Sequence, residues 1–476
     1  MENGLVVAVA VAVLIGLLIV GVSVAISLAT SGILGLLMLS GVNMANSVIA
    51  GTSYTAVAKS SLVVVPMFVL MGMLTLYSGI AEQLFAIAGR LLRRIPGSLG
   101  MATVFASAGF GAISGSSLAT VATMGRTCIT EMMRHGYQRS FGAATVATAG
   151  TLAVLIPPSI ILVIYGVITG ESIGLLLIAG IVPGVLSALV LSGAIGFLAW
   201  RNPALVNQNN ERELELALNP SGAGSASTGE GPSSSESEDS AAPQGAPQLG
   251  VRMTFGSVTR AVLGVAALFT IVIGGIYSGV FTPSESAAVG AFAAFILICA
   301  QYITRPRMLR QNLATALRET AVLNSMIFLI LVGAGIFSFF LVTAGVPAAL
   351  SQFVVGLPLP PALIVALLLV VLIPGGMFLD SISLLVITVP LVYQPIVDLG
   401  FDGIWLGILV VKLIELGMIT PPIGMNAYVT AGTTPGLKVE EVFRGLIPFY
   451  IADVGIVVLI FLLPELVTWL PALSNA

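Results

Sequence analysis

The chain has 476 residues, 57% hydrophobic and only 8% charged, with a net charge of −3 and a mean hydropathy of +1.09. That balance excludes a soluble globular domain and a nucleic-acid binder, and apolar runs near the ~20 residues that cross a bilayer recur along most of its length. One histidine (His135) and two cysteines (Cys128 and Cys299) without metal-site spacing argue against a zinc site or a histidine proton relay.

In chain order, the first apolar run begins at Leu5; it lacks a basic leader and passes straight into more apolar sequence, so it reads as a retained first helix. Spans are expected near 5–28, 31–50 and 61–78, then an extra apolar stretch at 98–125, then spans near 139–170 and 172–200. From 202 to 250 the chain turns polar, with "NPSGAGSASTGEGPSSSESEDSAAPQGAPQ" at its centre. Such a composition buries too little apolar surface to offset the entropy of ordering, so it reads as a disordered linker, its acidic serine-rich centre open to a regulatory role. Further spans are expected near 257–279, 283–303 and 321–345, an extra stretch at 360–389, and spans near 404–432 and 445–470.

The two halves, 1–201 and 251–476, echo each other. Ser117 in "GFGAISGSS" and Ser381 in "PGGMFLDSIS" are 264 residues apart, as are Gly111 and Gly375, and as are the pairs Pro157-Pro158 and Pro421-Pro422. Pro183 and Pro448 follow at a spacing of 265. Five crossings per half is an odd number, so the second half should be inverted relative to the first. Charge agrees with this. The loop 126–139 carries Arg126, Arg134 and Arg139, whereas its mate 390–403 carries Asp398 and Asp402 and no basic residue. Since basic residues collect on the cytoplasmic side, each extra stretch enters and leaves by one face. They are expected to be re-entrant hairpins facing each other from opposite sides. The same reasoning puts the linker and 304–320 in the cytoplasm and both termini outside.

A hairpin tip at membrane depth leaves backbone groups unpaired, which is tolerated where they line a cavity or bind something. "SGSS" offers carbonyl and hydroxyl oxygens suited to an alkali cation, and half-helix N-termini suited to an anion. Small residues also let helices pack closely, so the composition alone does not decide between the two roles. The second tip offers Gly375, Gly376, Asp380 and Ser381. "TLAVLIPPSII" and "GMITPPIGMNAYV" each place two prolines inside a span, where proline removes a donor and breaks the helix. Two matching breaks, each after a hairpin, point to discontinuous helices completing two ion sites. Thr420 and Asn426 add oxygens in the second and, more weakly, Thr151 and Ser159 in the first. Asp380 is a functional candidate as a charge within a hairpin. Lys412 and Glu415, three apart on one helix, are expected to neutralise each other. Asp453 has no assigned partner and reads as structural or interfacial. Glu285 reads as part of a helix cap with Ser284 or Thr282. No phosphate-binding loop, HExxH or nucleophile elbow occurs, so movement rather than chemistry is expected and the chain should not be an enzyme.

"GAISGSSLATVATMG", "IPPSIILVIYGVITGESIGLLLIAGIVPGVL", "FTPSESAAVGAF" and "ELGMITPPIGMNAYV", in this order, resemble the large membrane subunit of the tripartite ATP-independent periplasmic (TRAP) transporters of bacteria and archaea. The resemblance covers nearly the whole chain except 202–250. It implies an all-α polytopic membrane protein of two inverted repeats, each of five spans and a re-entrant hairpin, working as an elevator in the inner membrane. It implies sodium-driven uptake of an organic acid, such as a C4-dicarboxylate, brought by a periplasmic substrate-binding protein. A small membrane subunit of about four helices would brace it. With no small-subunit fusion ahead of the first helix, that subunit is expected to be a separate chain. Sodium, the coupling ion, would be bound by Ser114, Ser116, Ser117 and the Pro157 break, and by Gly376, Gly417, Thr420 and the Pro422 break; no other cofactor is implied. Substrate would lie between the tips, near Ser116, Asp380, Ser381 and Asn426. Moving a dianion against 100 mV costs about 2 × 2.3 kcal/mol, so two sodium ions only balance it and a third is needed for electrogenic uptake. The rival reading is a stand-alone sodium–dicarboxylate symporter of the same hairpin-elevator type.

Overall fold

The computed structural model describes residues 2–92, 95–207 and 263–474, and within them every regular element is helical. The linker reading falls outside the described residues from 208 to 250. Helix α1 (Glu2–Ile19) ends at a turn in which Gly21 takes φ 87°, so the break comes earlier than the expected end of the first span. Helix α2 (Val24–Thr55) then runs on as one long element, bent at Gly41. A short 3-10 turn leads into α3 (Val64–Leu76), followed by α4 (Ile80–Leu91). Then come α5 (Ser98–Ser114), α6 (Ser117–Met124), α7 (Thr130–Arg134), α8 (Arg139–Leu155), α9 (Ile160–Thr169) and α10 (Ile173–Arg201).

The second half contributes α11 (Leu263–Tyr277), α12 (Pro283–Tyr302), α13 (Pro306–Thr343) and α14 (Val346–Val355). Its inner part is α15 (Pro361–Phe378), α16 (Ser381–Asp398), α17 (Gly403–Met418) and α18 (Met425–Thr433). The chain closes with α19 (Val439–Leu462) and α20 (Glu465–Ser474). Among the described residues seven helices are long and apolar enough to cross a bilayer, or eight if α8 and α9, bent by 43°, form one span. Two of the seven are the arms of the second extra stretch, α15 and α16. The expected spans near 5–28 and 61–78 appear as the shorter apolar helices at 3–19 and 60–76; of the one near 257–279, the described part is helical at 263–277.

The longest element is α13. The region 304–320, with Arg305, Arg307, Arg310 and Arg318, does not precede the expected span as a separate segment: all of these arginines but the first lie in the same 38-residue helix. At 1.5 Å per residue this helix is about 57 Å long, nearly twice a ~30 Å hydrocarbon core. Its charged start continues the helix because arginine is a good helix former and Pro306 sits in the first turn, where its missing N–H costs nothing. Tyr77 O–H donates to Glu319 Oε1 at 2.7 Å and Asn312 Nδ2 donates to the Tyr77 carbonyl at 3.1 Å, tying the end of α3 to the middle of α13. α2 lies along α13 through small residues: a Cβ on Gly32 would come within 2.8 Å of Phe337 Cα, and one on Gly333 within 2.2 Å of the Ala25 carbonyl oxygen. Apolar burial alone gives no directional force in lipid, so close backbone approach of this kind is what fastens the pair. Thr282 caps α12 and Glu285 bonds back to the Thr282 N–H, a reciprocal capping box.

The inner elements repeat one contact scheme. α5 lies against α8 and α15 against α17; α6 lies against α18 and α16 against α9. The first helix of each extra stretch packs on the helix before its own half's proline break, and the second packs on the helix after the other half's break.

Candidate functional site

The first extra stretch turns at Gly115 and Ser116. Gly115 closes α5 with φ 61°, a left-handed conformation that a side chain would strain, and a Cβ there would press on the Pro158 carbonyl and on Ile160. The tip therefore sits on the first proline break. Three serines around this turn have three separate partners. Ser114 Oγ is 3.1 Å from Thr120 Oγ1. Ser116 caps α6, its Oγ accepting from the Ala119 N–H at 3.4 Å. Ser117 Oγ donates across the protein to Glu415 Oε1 at 3.2 Å.

The second stretch turns at Leu379 and Asp380. Asp380 caps α16, accepting from the Ile382 and Ser383 N–H groups at 3.1 Å each and from the Ser383 hydroxyl. Its carboxylate is thus engaged by its own helix start. Ser381 Oγ donates to Glu415 Oε1 at 2.7 Å and also lies 2.7 Å from Met418 Sδ. The two serines spaced 264 apart in sequence therefore converge on one carboxylate oxygen. The N-termini of α6 and α16, with their partial positive charge, both begin at this junction.

Glu415 stands on α17, 1% exposed, and its second oxygen Oε2 is buried without a hydrogen-bond partner among the described residues. The expected Lys412–Glu415 pair does not form. Lys412 Nζ instead meets Asp453 Oδ1 of α19 at 2.5 Å, with both side chains almost wholly buried. A residue three positions along one helix competes poorly with a carboxylate facing it from a neighbouring helix, and Asp453 thereby gains the partner that sequence reasoning left open.

Both Pro157–Pro158 and Pro421–Pro422 are cis. At the first break Ser159 caps α9, accepting from the Leu162 N–H at 3.3 Å, and Thr151 Oγ1 donates to the Thr148 carbonyl. At the second break Thr420 Oγ1 donates to the Leu416 carbonyl at 2.6 Å, and the Gly424 N–H donates to the Met377 carbonyl at 3.2 Å, joining this break to the second tip. Asn426, just beyond it, is fully buried with neither Oδ1 nor Nδ2 bonded among the described residues. Gly376 and Gly417 face each other: a Cβ on Gly376 would lie 2.7 Å from the Ile414 carbonyl oxygen, and one on Gly417 would lie 2.6 Å from that of Ile373. These two glycines let α15 and α17 pack backbone to backbone. The first break is buried, whereas Pro421, Pro422 and Ile423 are exposed.

The structure thus brings Ser117 and Ser381 together, sets Gly115 on Pro158, and joins Gly376 to Gly417 and Gly424 to Met377. It does not turn the Asp380 carboxylate away from its own helix. The residue missed in sequence is Glu415, an acidic side chain inside a span, whose position alone marks it as a candidate.

Comparison with known proteins bears on what this junction serves. Residues 11–466 match the family described as "Tripartite ATP-independent periplasmic transporter, DctM component". The chain is 33% identical over 419 residues to the C4-dicarboxylate TRAP transporter large permease protein of Pseudomonas aeruginosa, covering 87% of this chain and 86% of that protein. It is 31% identical over 479 residues to the Vibrio cholerae protein of the same description, covering 96% of each. A sialic acid TRAP transporter large permease of Vibrio cholerae is 28% identical over 461 residues, covering 96% of this chain and 97% of that one. In fold, the chain is similar to the crystal structure of the Alcanivorax borkumensis YdaH transporter, described as having an unusual topology, at a TM-score of 0.58 and 14% identity over 90% of each chain.

Proposed function

Because the chain belongs to the DctM family of tripartite ATP-independent periplasmic transporters, the large permease subunits of membrane transporters, we propose that it carries an organic acid inward across the bacterial or archaeal inner membrane, driven by a sodium gradient. The observation that carries this is the convergence of Ser117 and Ser381, from two hairpin tips, on one buried point. Two breaks in helical backbone at membrane depth, each abutting a tip, supply carbonyl and hydroxyl oxygens for cations. Two helix N-termini at the same place suit a substrate carboxylate. The paired contact scheme of the inner helices supports two inverted repeats, and the basic loop 126–139 opposite the acidic loop 390–403 supports hairpins entering from opposite faces, with both termini outside.

On this reading the first sodium site lies at Ser114, Ser116, Ser117 and the Pro157 break, and the second at Thr420, Gly376, Gly417 and the Pro422 break. Ser116, Ser381 and Asn426 face the substrate, and Asp380 contributes by fixing the start of α16. The inner elements α5–α6, α8–α9, α15–α16 and α17–α18 form the moving part. A separate small membrane subunit braces the outer helices, and a periplasmic protein delivers the acid. Relatives with dicarboxylate, sialic acid and isethionate names leave an anionic acid group as their common chemistry.

Purification of the tagged protein from its native membrane, with mass spectrometry of what accompanies it, tests the assembly. A stoichiometric small membrane protein is expected. Proteoliposomes of that complex, supplied with the cognate binding protein and its acid, should take up the acid under an inward sodium gradient and not under a potassium gradient. A solitary protein that transports alone would overturn the tripartite reading, and uptake indifferent to sodium would overturn the coupling.

A further inference from the structure

Among the described residues, the fully buried charged side chains are Lys412, Glu415 and Asp453. Lys412 and Asp453 neutralise one another at 2.5 Å. Glu415 is left without a cationic partner, 1% exposed, inside a helix long enough only to be read as part of a span. An ionised carboxylate at that depth needs a counterpart, since its transfer from water is costly unless it is paired. Ser117 and Ser381 address only Oε1, and the partial positive charge of the α6 and α16 N-termini acts on the carboxylate without giving Oε2 a donor.

We propose that Glu415 is a carboxylate ligand for a monovalent cation held between the two hairpin tips, with the Ser117 and Ser381 hydroxyls as the other side-chain oxygens. A carboxylate and two hydroxyls are hard oxygen donors, the set that suits an alkali ion. The charge selects the valence: one positive charge brings the buried set to neutrality, whereas a divalent ion overshoots it. No group of three or more His, Cys, Asp or Glu residues able to hold a metal occurs among the described residues, which argues against a divalent or transition-metal centre. This inference rests on the sodium-driven reading above and adds to it. The site's own ligand is Glu415 of α17, which neither site at the proline breaks uses, while Ser117 is shared with the first of those sites and Ser381 with the substrate face. The site also supplies the third cation that electrogenic uptake of a dianion requires. Since both tips bind the same carboxylate, the ion joins the two hairpins as a single body.

The test is equilibrium binding of radioactive sodium, with no organic acid present, to the purified complex in nanodiscs. The neutral variant Glu415→Gln keeps the side-chain length and should bind one sodium ion fewer per chain than the unmodified protein. Glu415→Asp keeps the charge and should keep the count with weaker affinity. If Glu415→Gln fails to give monodisperse protein, Ser381→Ala, which touches neither site at the proline breaks, retains the carboxylate and should weaken binding of one ion at least about tenfold. An unchanged count and affinity in these variants overturns the proposal while leaving the two other sites standing. Absence of sodium binding by the unmodified complex overturns the sodium-driven reading itself, and this site with it.

Discussion

The buried pair of Lys412 and Asp453 makes an asymmetric demand on stability. Removing one member strands the other charge in the core, which costs about 3–5 kcal/mol, whereas replacing both with apolar groups of similar volume is near neutral. Lys412→Met is therefore expected to lower the thermal unfolding midpoint of the detergent-solubilised complex sharply, and Lys412→Met/Asp453→Leu to restore most of it. A double variant as unstable as the single one would contradict the pair's role as internal neutralisation. The candidate site was partly legible at this scale. Ser117 and Ser381 stood out because hydroxyls inside an apolar chain need a reason. Glu415 did not, because a lysine three residues away offered a local partner; the competing carboxylate, Asp453, lies 41 positions along the chain and only the fold brings it near.

Helix pairs in this protein are fastened where side chains are absent. Gly376→Ala puts a methyl group 2.7 Å from the Ile414 carbonyl oxygen, part of a backbone that has nowhere to move, so α15 must shift off α17. Overpacking of this kind costs about 1–3 kcal/mol. Gly109→Ala, where a Cβ meets only the end of the Leu84 side chain at 3.5 Å, is the control and should be nearly silent in the same thermal assay. Equal effects at both positions would refute the packing role assigned to Gly376. The turns at Gly115 and Asp380 and the breaks at the paired prolines were readable from composition because glycine, serine and proline interrupt an otherwise apolar pattern. Helix lengths were not. The start of α13 carries arginines that look like a loop when hydropathy alone sets the boundary, and backbone hydrogen bonding takes no notice of that polarity. The turn at Gly21 was hidden for the opposite reason, since apolar residues continue on both sides of it.

At the scale of the whole molecule, the two halves share a contact scheme yet differ in access. Ser159 at the first break is 0% exposed and Ile423 at the second is 36% exposed. In a chain freed of its own thiols by Cys128→Ala and Cys299→Ser, Ile423→Cys is expected to react much faster than Ser159→Cys with a membrane-impermeant maleimide. Equal rates would contradict the asymmetry. The 264-residue spacing is visible in the sequence, but which of the two breaks is buried is a property of the packed state and leaves no mark there. On the elevator reading proposed above, this difference has a consequence for the working cycle. Two repeats of like design, one with its break buried and one with its break exposed, would make a two-position switch whose second position exchanges the arrangements already present. The free-energy gap between the two positions would then be small, and an ion that binds one position more tightly than the other would suffice to tip it.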